Sequence, residues 1–420
     1  MILIGVGYFT WAAYLFLRDY SRQIVSTKIK IKNTRELQLP TVTICNKNIW
    51  KSSQVIPDSA DNKTRQATID VLMDLYLGAK LPPPPGKYNW SDPAYVGLSK
   101  DSNISSEQNE QHMKSMSHSL NETFTFCRVL GVPRLCSEVL EEAKTDAGFC
   151  HQFNKNGSFH AHTAGISGGF VVLMNALVHE YFIGPSSFSE GFAVAIHDVN
   201  QVPLLMEFSY GVQPGTITQL LLHRKQIKRV PPYADGGQAD CFDTDSLPNP
   251  LHYYPSYSYS ACKSECQVSH VLKICGCRDI FDVAEFLKDP KILHKCNCRA
   301  TCNEIQYTAR LSSTTYPSKS MAEIVGCGSE CYEYNRKNFV MLYVVYGEMS
   351  YELLEEDVMY KGYDLIANLG GTMGVCIGAS FLTLMELIEY GLIQLSLLIQ
   401  KVNKVNKEVV IPRNVPKMAF

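Results

Sequence analysis

Apolar residues crowd the two ends of this chain and come in short, interrupted runs between them. Met1 to Leu17 hold no charge, which at 1.5 Å per residue gives about 25 Å of helix against a bilayer core of roughly 30 Å. A secretory signal would need a basic leader before this run and small residues at a cleavage site after it. Arg18, Asp19 and Tyr20 follow instead. The expectation is a first transmembrane helix over 1–21, with the chain beginning inside it. The second apolar run, Leu365 to Gln400, spans 36 residues with only Glu386 and Glu389 charged, longer than the ~20 residues one straight span requires. Gly370, Gly371, Gly374 and the triplet Gly378-Ala379-Ser380 mark where it can break or pack closely. A second transmembrane helix over 363–400, broken near 378–380, is expected. Lys401, Lys404, Lys407, Arg413 and Lys417 follow in 401–420, a positive-inside pattern for a cytosolic tail.

Between these ends, residues 22–362 read as mixed α and β. Strands are expected at Leu39 to Cys45, Gly169 to Asn175, Gly191 to His197, Gln219 to His223 and Phe339 to Tyr346, which are rich in β-branched and apolar residues. Helices are expected at Thr64 to Leu77, Cys136 to Thr145 and Ala261 to Cys275. The proline run Leu81 to Gly86 and the polar stretch Ser99 to Asn121 read as peripheral loops.

Charge excludes one class: 39 basic against 41 acidic residues leave no nucleic-acid footprint. Cysteine usage is more informative. Of 15 cysteines, 14 lie between Cys45 and Cys331, and Cys376 stands alone in the second apolar run. An even set of 14 implies seven disulfides in an oxidising compartment. The same region carries glycosylation sequons at Asn62, Asn89, Asn103, Asn121 and Asn156, which with the cysteines favour an extracellular location. They outweigh the one contrary sign, basic charge at Arg18, Arg22, Lys28, Lys30, Lys32 and Arg35 on the side taken as exterior.

Cys262 and Cys266 are four apart on an expected helix, so both thiols share a face. An antiparallel return would pair Cys266 with Cys296, Cys262 with Cys298 and Cys241 with Cys302. This is one of the connectivities open to these cysteines, and it leaves Cys275 and Cys277 for Cys327 and Cys331. Zinc is the rival reading, but reduced thiolates are not expected outside the cell, so no metal is assigned.

Gly165-Ile166-Ser167-Gly168-Gly169 fits G-x-S-x-G on paper. A nucleophile elbow needs a strand before and a helix after, whereas Phe170 to Met174 look like a strand, so a glycine-rich turn is the better account. His151, His160, His162 and His179 have no tight ligand spacing and read as surface or hydrogen-bonded core residues. No catalytic residue and no cofactor is expected.

Glu386 and Glu389 are the sharpest functional signal. A carboxylate at mid-membrane costs roughly 3 kcal/mol, and the pair, three apart, shares one helix face. They need water or protein around them. One reading makes them an acidic ring drawing cations to the inner mouth of a pore; the other leaves them hydrated at the cytosolic boundary.

Here the residues carry a resemblance. Leu39-Pro40-Thr41-Val42-Thr43-Ile44-Cys45-Asn46, the pairs around Cys275, Cys277, Cys296, Cys298 and Cys302, and the block Gly370-Gly371 through Gly378-Ala379-Ser380 to Glu386-Leu387 resemble the degenerin/epithelial sodium channel family, near its acid-sensing and peptide-gated branches. The resemblance implies an α+β membrane protein with a hand-like, disulfide-rich ectodomain of palm, finger and thumb on two transmembrane helices, three subunits forming one pore. It implies a selectivity filter at Gly378, Ala379 and Ser380, a gate at Ala367, Asn368 and Gly371, and disulfides Cys45–Cys150 and Cys127–Cys136. The acidic group Glu348, Glu352, Glu355, Glu356 and Asp357 could concentrate cations, the alternative being a simply solvated run.

The implied function is an amiloride-sensitive, sodium-selective channel subunit of the plasma membrane, multi-pass, in a homo- or heterotrimer. Sodium ions, membrane lipids, an amiloride-type blocker and an extracellular agonist such as a neuropeptide are its implied partners. Arg22 to Lys32 lack the histidine pair of acid-sensing members, and Gly184-Pro185-Ser186-Ser187-Phe188 replaces their acidic loop, which favours ligand gating over proton, constitutive or mechanical opening. A non-conducting scavenger or adhesion receptor would have no glycine-broken, glutamate-bearing helix. An ATP-gated receptor would carry clustered ectodomain lysines.

Overall fold

A computed structural model describes residues 2–21, 25–55, 62–63, 65–67, 106–182, 189–199, 201–230, 241–275, 296–358, 361–378 and 381–408. The chain divides into two compact units, residues 28–355 and the two ends, 1–27 with 356–420.

The larger unit is built on two sheets. A seven-stranded sheet runs in the order Asn303–Thr315, Thr216–Lys228, Phe339–Val358, Phe170–Asn175, Phe124–Val129, Val132–Arg134, and Val25–Asn33 also pairs with Phe339–Val358. Thr216–Lys228 shows why these residues make strands: Thr216, Thr218, Leu220 and Leu222 are buried while the intervening side chains are only partly so, the period-2 signature of a half-buried strand. It lies parallel to Phe339–Val358, with Leu220 opposite Val344, and antiparallel to Asn303–Thr315, with Leu220 opposite Leu311. The five-stranded sheet runs Tyr210–Val212, Phe192–His197, Thr41–Asn46, Gly148–Phe153, Leu140–Thr145.

The sheets share one core. Val42, Ile44, Phe153, Phe192 and Val194 from the smaller sheet cluster with Phe170, Val172, Leu220, Leu342 and Tyr346 from the larger. Phe153 and Phe170 stack across them, with ring centroids 4.0 Å apart and 3° between planes. Alternation sends Thr43 and Cys45 to the opposite face of Thr41–Asn46, where the Cys45–Cys150 disulfide packs with Ala193, Ala195 and Leu205. This strand is therefore buried on both faces, which explains its unbroken apolar and β-branched sequence.

The disulfides join Cys45 to Cys150, Cys127 to Cys136, Cys241 to Cys302, Cys262 to Cys298 and Cys266 to Cys296, with Cα–Cα separations of 4.6 to 6.0 Å. The nested set follows from the helix Tyr259–Cys275, which presents Cys262 and Cys266 on one face to the returning chain. One pairing differs from expectation. Cys327 bonds to Cys331, Cα–Cα 5.4 Å, and neither pairs with Cys275 or Cys277. Cys331 sits in the first turn of the helix Ser329–Asn338 and Cys327 just before it, so the local chain reversal brings the thiols together. The side chain of Cys275 and all of Cys277 lie outside the described residues.

Two element expectations also change. Only Cys136–Val139 of the expected helix is helical, and Leu140–Thr145 is a strand paired with Gly148–Phe153. Glu141, Glu142, Ala143 and Lys144 favour a helix, but pairing at the sheet edge overrides that preference. Within the expected loop Ser99 to Asn121, Ser106–Met116 is a helix. It is anchored by ion pairs from Glu110 to Lys144 and from Lys114 to Glu142. Residues 68–105, including most of the expected helix Thr64 to Leu77 and the proline run, lie outside the described residues, as does Gly184 to Phe188.

Candidate functional site

The chain's two ends bring three helices into one unit, Ile2–Ser21, Gly362–Ile377 and Phe381–Glu408. The first packs against Gly362–Ile377. A side chain at Gly5 would collide with the backbone carbonyl of Cys376, so the crossing is as close as only glycine permits.

The second apolar run breaks where small residues marked it. Gly378 caps Gly362–Ile377 in the left-handed region, φ +70° and ψ 16°, and its N–H donates to the Gly374 carbonyl at 3.0 Å. The next helix starts at Phe381. Ala379 and Ser380 lie in the gap, outside the described residues. The first helix of this run begins at Lys361, whose N–H donates to the Asp364 carboxylate at 3.1 Å, a capping contact. Along it, Ala367 and Gly371 are exposed and Asn368 is half-buried, its carbonyl accepting from the Thr372 hydroxyl at 2.7 Å. Nothing lies within 4 Å of a side chain placed on Gly370 or Gly371.

Glu386 and Glu389 are exposed on Phe381–Glu408, three residues apart and so on one face. Around them Leu382, Met385, Leu387, Ile388, Leu392 and Ile393 are also exposed. On the first helix Ile4, Tyr8, Trp11, Tyr14 and Leu17 share that exposure. Helices with apolar side chains on every face call for apolar surroundings. Among the described residues no single helix is long and apolar enough to cross a membrane. The first ends in the Arg18–Asp19 ion pair, and the second run is divided at Gly378 into a 16-residue helix and one that carries Glu386 and Glu389.

Two members of the acidic group outside the second run, Glu355 and Asp357, are paired with lysines. Lys30 pairs with Glu355 at 2.7 Å and holds its carboxyl below the usual range. Lys361 reaches Asp357 at 3.3 Å, and Glu352 stands opposite Lys225 in the sheet. The Lys30–Glu355 pair was concealed in the sequence, because its members are 325 residues apart.

Sequence reasoning allowed His151 a place in the core and did not single out His118 or His197; all three are buried. Gln152 donates to the Thr43 hydroxyl at 3.0 Å, and Thr43 lies 2.8 Å from His197 Nε2. His197 Nδ1 lies 2.9 Å from the Asp198 carbonyl, which only accepts, so that nitrogen carries the proton and Nε2 accepts from Thr43. Burial pushes His197, His118 and His151 down to about 4, so all three are neutral at pH 7. His151 and His197 lie on the strands Gly148–Phe153 and Phe192–His197, whose other residues are mostly buried, whereas His118 stands between two serines and carried no such signal. A separate cavity of about 340 Å³ is lined by Asp198, Gln201, Phe242, Tyr257 and Glu304. Burial raises the Asp198 carboxyl, while Glu304 is engaged by Arg229 at 2.7 Å.

Comparison with known proteins places this arrangement. The family described as amiloride-sensitive sodium channel matches residues 1–390. The chain belongs to that family. It is 25% identical over 398 residues to human acid-sensing ion channel 2, covering 87% of this chain and 74% of that one. It is 25% identical over 419 residues to zebrafish (Danio rerio) acid-sensing ion channel 4-B, covering 93% and 69%. Identity to the Caenorhabditis elegans degenerin-like protein unc-105 is 28% over 325 residues, covering 67% of this chain and 35% of that one. The solved structure of a proton-activated chloride channel covers 92% of this chain and 95% of its own at a TM-score of 0.29 and 8% identity, a likeness too slight to bear on the fold. The degenerin/epithelial sodium channel family is one of cation channels, so the broken apolar run belongs to a channel subunit.

Proposed function

We propose that this chain is one subunit of a trimeric, amiloride-sensitive, sodium-selective channel of the plasma membrane, opened by an extracellular ligand such as a neuropeptide. Residues 1–21 form the first transmembrane helix, 22–362 the extracellular domain, 363–400 the second transmembrane helix and 401–420 a cytosolic tail. The observation that carries the reading is the left-handed break at Gly378, inside an apolar run that continues into Glu386 and Glu389. A helix interrupted at membrane depth needs protein or a water-filled path around its freed backbone groups, and Gly378, Ala379 and Ser380 are assigned to the selectivity filter there.

Ala367, Asn368 and Gly371 are assigned to the gate. Ala367 and Gly371 are open in the single chain, as surfaces that meet in an oligomer are. Glu386 and Glu389 supply negative charge to the inner mouth. The cavity at Asp198 and Tyr257 supports an extracellular ligand, since it offers a carboxylate and aromatic rings together. Proton gating is the second reading, favoured by the names of the acid-sensing relatives.

The test is current through full-length channels in oocytes, with sodium replaced, amiloride added and the bath stepped to acid. Sodium-carried, amiloride-blocked current that ignores the acid step supports ligand or constitutive gating. Current evoked by acid alone supports the second reading, and current indifferent to sodium removal refutes both.

A further inference from the structure

The edge of the larger sheet carries an apolar groove with a modification signal on its rim. The groove, about 590 Å³ and open to solvent, is lined by Asn121, Phe126, Pro133, Arg134, Leu135 and Glu138, among others. Phe126 is 40% exposed and Leu135 67%, although Phe126 adjoins Cys127, the buried half of the Cys127–Cys136 disulfide.

Phe126 points outward for a definable reason. Phe124 pairs with Met174 and Phe126 with Leu173, so two residues on one strand oppose one on the other. Such a bulge re-aims the side chain that follows it. Phe124 therefore goes to the core, 5% exposed, and Phe126 to the groove. A large aromatic turned to solvent by a specific backbone irregularity calls for something to cover it.

Asn121 supplies the occupant. It begins the sequon Asn121-Glu122-Thr123, is exposed, and itself lines the groove. The groove is within the roughly 300–1,000 Å³ that encloses a drug-sized ligand, comparable to the first two sugars of an N-glycan.

We infer that the groove is the seat of an N-glycan on Asn121, whose inner N-acetylglucosamine residues cover Phe126 and Leu135. This rests on the extracellular reading of residues 22–362. In the attachment step the Asn121 amide nitrogen bonds to the anomeric carbon of an oligosaccharide carried on a lipid diphosphate. The bond from that carbon to the diphosphate oxygen breaks, the lipid diphosphate leaves with the electron pair, and the amide proton is lost to base. The sugar's apolar face then stacks on the Phe126 ring, and its hydroxyls reach Arg134 and Glu138.

The experiment uses the full chain made in a eukaryotic secretory host. Glycopeptide mass spectrometry reads occupancy at each sequon, and a peptide N-glycosidase reads the rate of sugar release from the folded protein. Asn121 should be occupied, and Phe126→Thr, which keeps a strand-forming residue, should speed release there by about two- to tenfold, the worth of an aromatic contact. Asn121→Gln, which leaves buried Thr123 untouched, should raise binding of an apolar dye relative to wild type. Occupancy at other sequons with Asn121 bare overturns the inference while sparing the topology, as does occupied Asn121 whose release ignores Phe126→Thr. No glycan at any sequon overturns the extracellular reading itself.

Discussion

Replacing Gly378 by alanine tests the assignment of the break to the pore. Gly378 sits at φ +70° with nothing within 4 Å of a methyl placed on it, so an added Cβ meets no neighbour and its whole effect is conformational. A residue with a Cβ pays roughly 1–2 kcal/mol in the left-handed region, a shift of about 5- to 30-fold against the broken form. Asparagine, which visits that region more readily, should cost less, and β-branched valine more. Sodium current per surface-labelled channel should therefore fall in the order Asn, Ala, Val, with the sodium-over-potassium ratio falling alongside. Alanine and valine variants that keep wild-type current and selectivity at equal surface density would refute this, as would an asparagine variant as impaired as valine.

Further outcomes follow from other sites. Ala367→Phe should hold the gate apart, shifting the closed–open balance by the overpacking cost of about 1–3 kcal/mol; a variant that reaches the surface and stays silent without agonist counts against the gate assignment. Glu386→Gln should lower conductance or selectivity without loss of surface expression, whereas unchanged values would make Glu386 a boundary residue. His118, His151 and His197 bind protons at about pH 4 when folded but near 6.5 when unfolded, so the unfolded state takes up protons first as pH falls. Stability should drop between pH 6.5 and 4 by up to about 3 kcal/mol per histidine. Asp146 and Asp198, whose carboxyls burial raises, offset part of it by protonating earlier when folded. Thermal melting across that range checks this, and His151→Phe should flatten the fall; an unaltered slope contradicts it. Non-reducing peptide mapping should recover a Cys327–Cys331 link and an alkylatable thiol at Cys376, and a Cys327 link to Cys275 or Cys277 would disprove the local pairing.

Much of the fold could be read from the chain because the strands that cross the core are short runs of apolar and β-branched residues. Phe192–His197 and Phe170–Asn175, buried at nearly every position, were legible in this way. The strand at Phe339 was read only to Tyr346, yet it continues to Val358. Its second half carries Glu348, Glu352 and Glu355, and what keeps it extended is pairing with Arg224 to Lys228, a partner far away in sequence. Leu140–Thr145 failed for the same reason, since its glutamates and lysine state a local preference that an edge pairing reverses. The cysteine set shows the limit of counting: assigning leftovers joined Cys327 to distant partners, while a turn before Ser329–Asn338 had already brought Cys331 within reach. The small-residue break in the second apolar run was plain, because glycine at Gly378 answers a backbone need that no neighbour has to supply.

The central claim is that these chains by themselves form a sodium pathway. The direct measurement is radioactive sodium uptake into liposomes holding the purified full-length protein, with any agonist identified in oocytes, compared with potassium and repeated with amiloride. Uptake that favours sodium and that amiloride abolishes is the expected result. Folded, disulfide-intact protein that stays sealed under conditions that open it in oocytes, or that passes both ions equally with and without amiloride, would contradict the account.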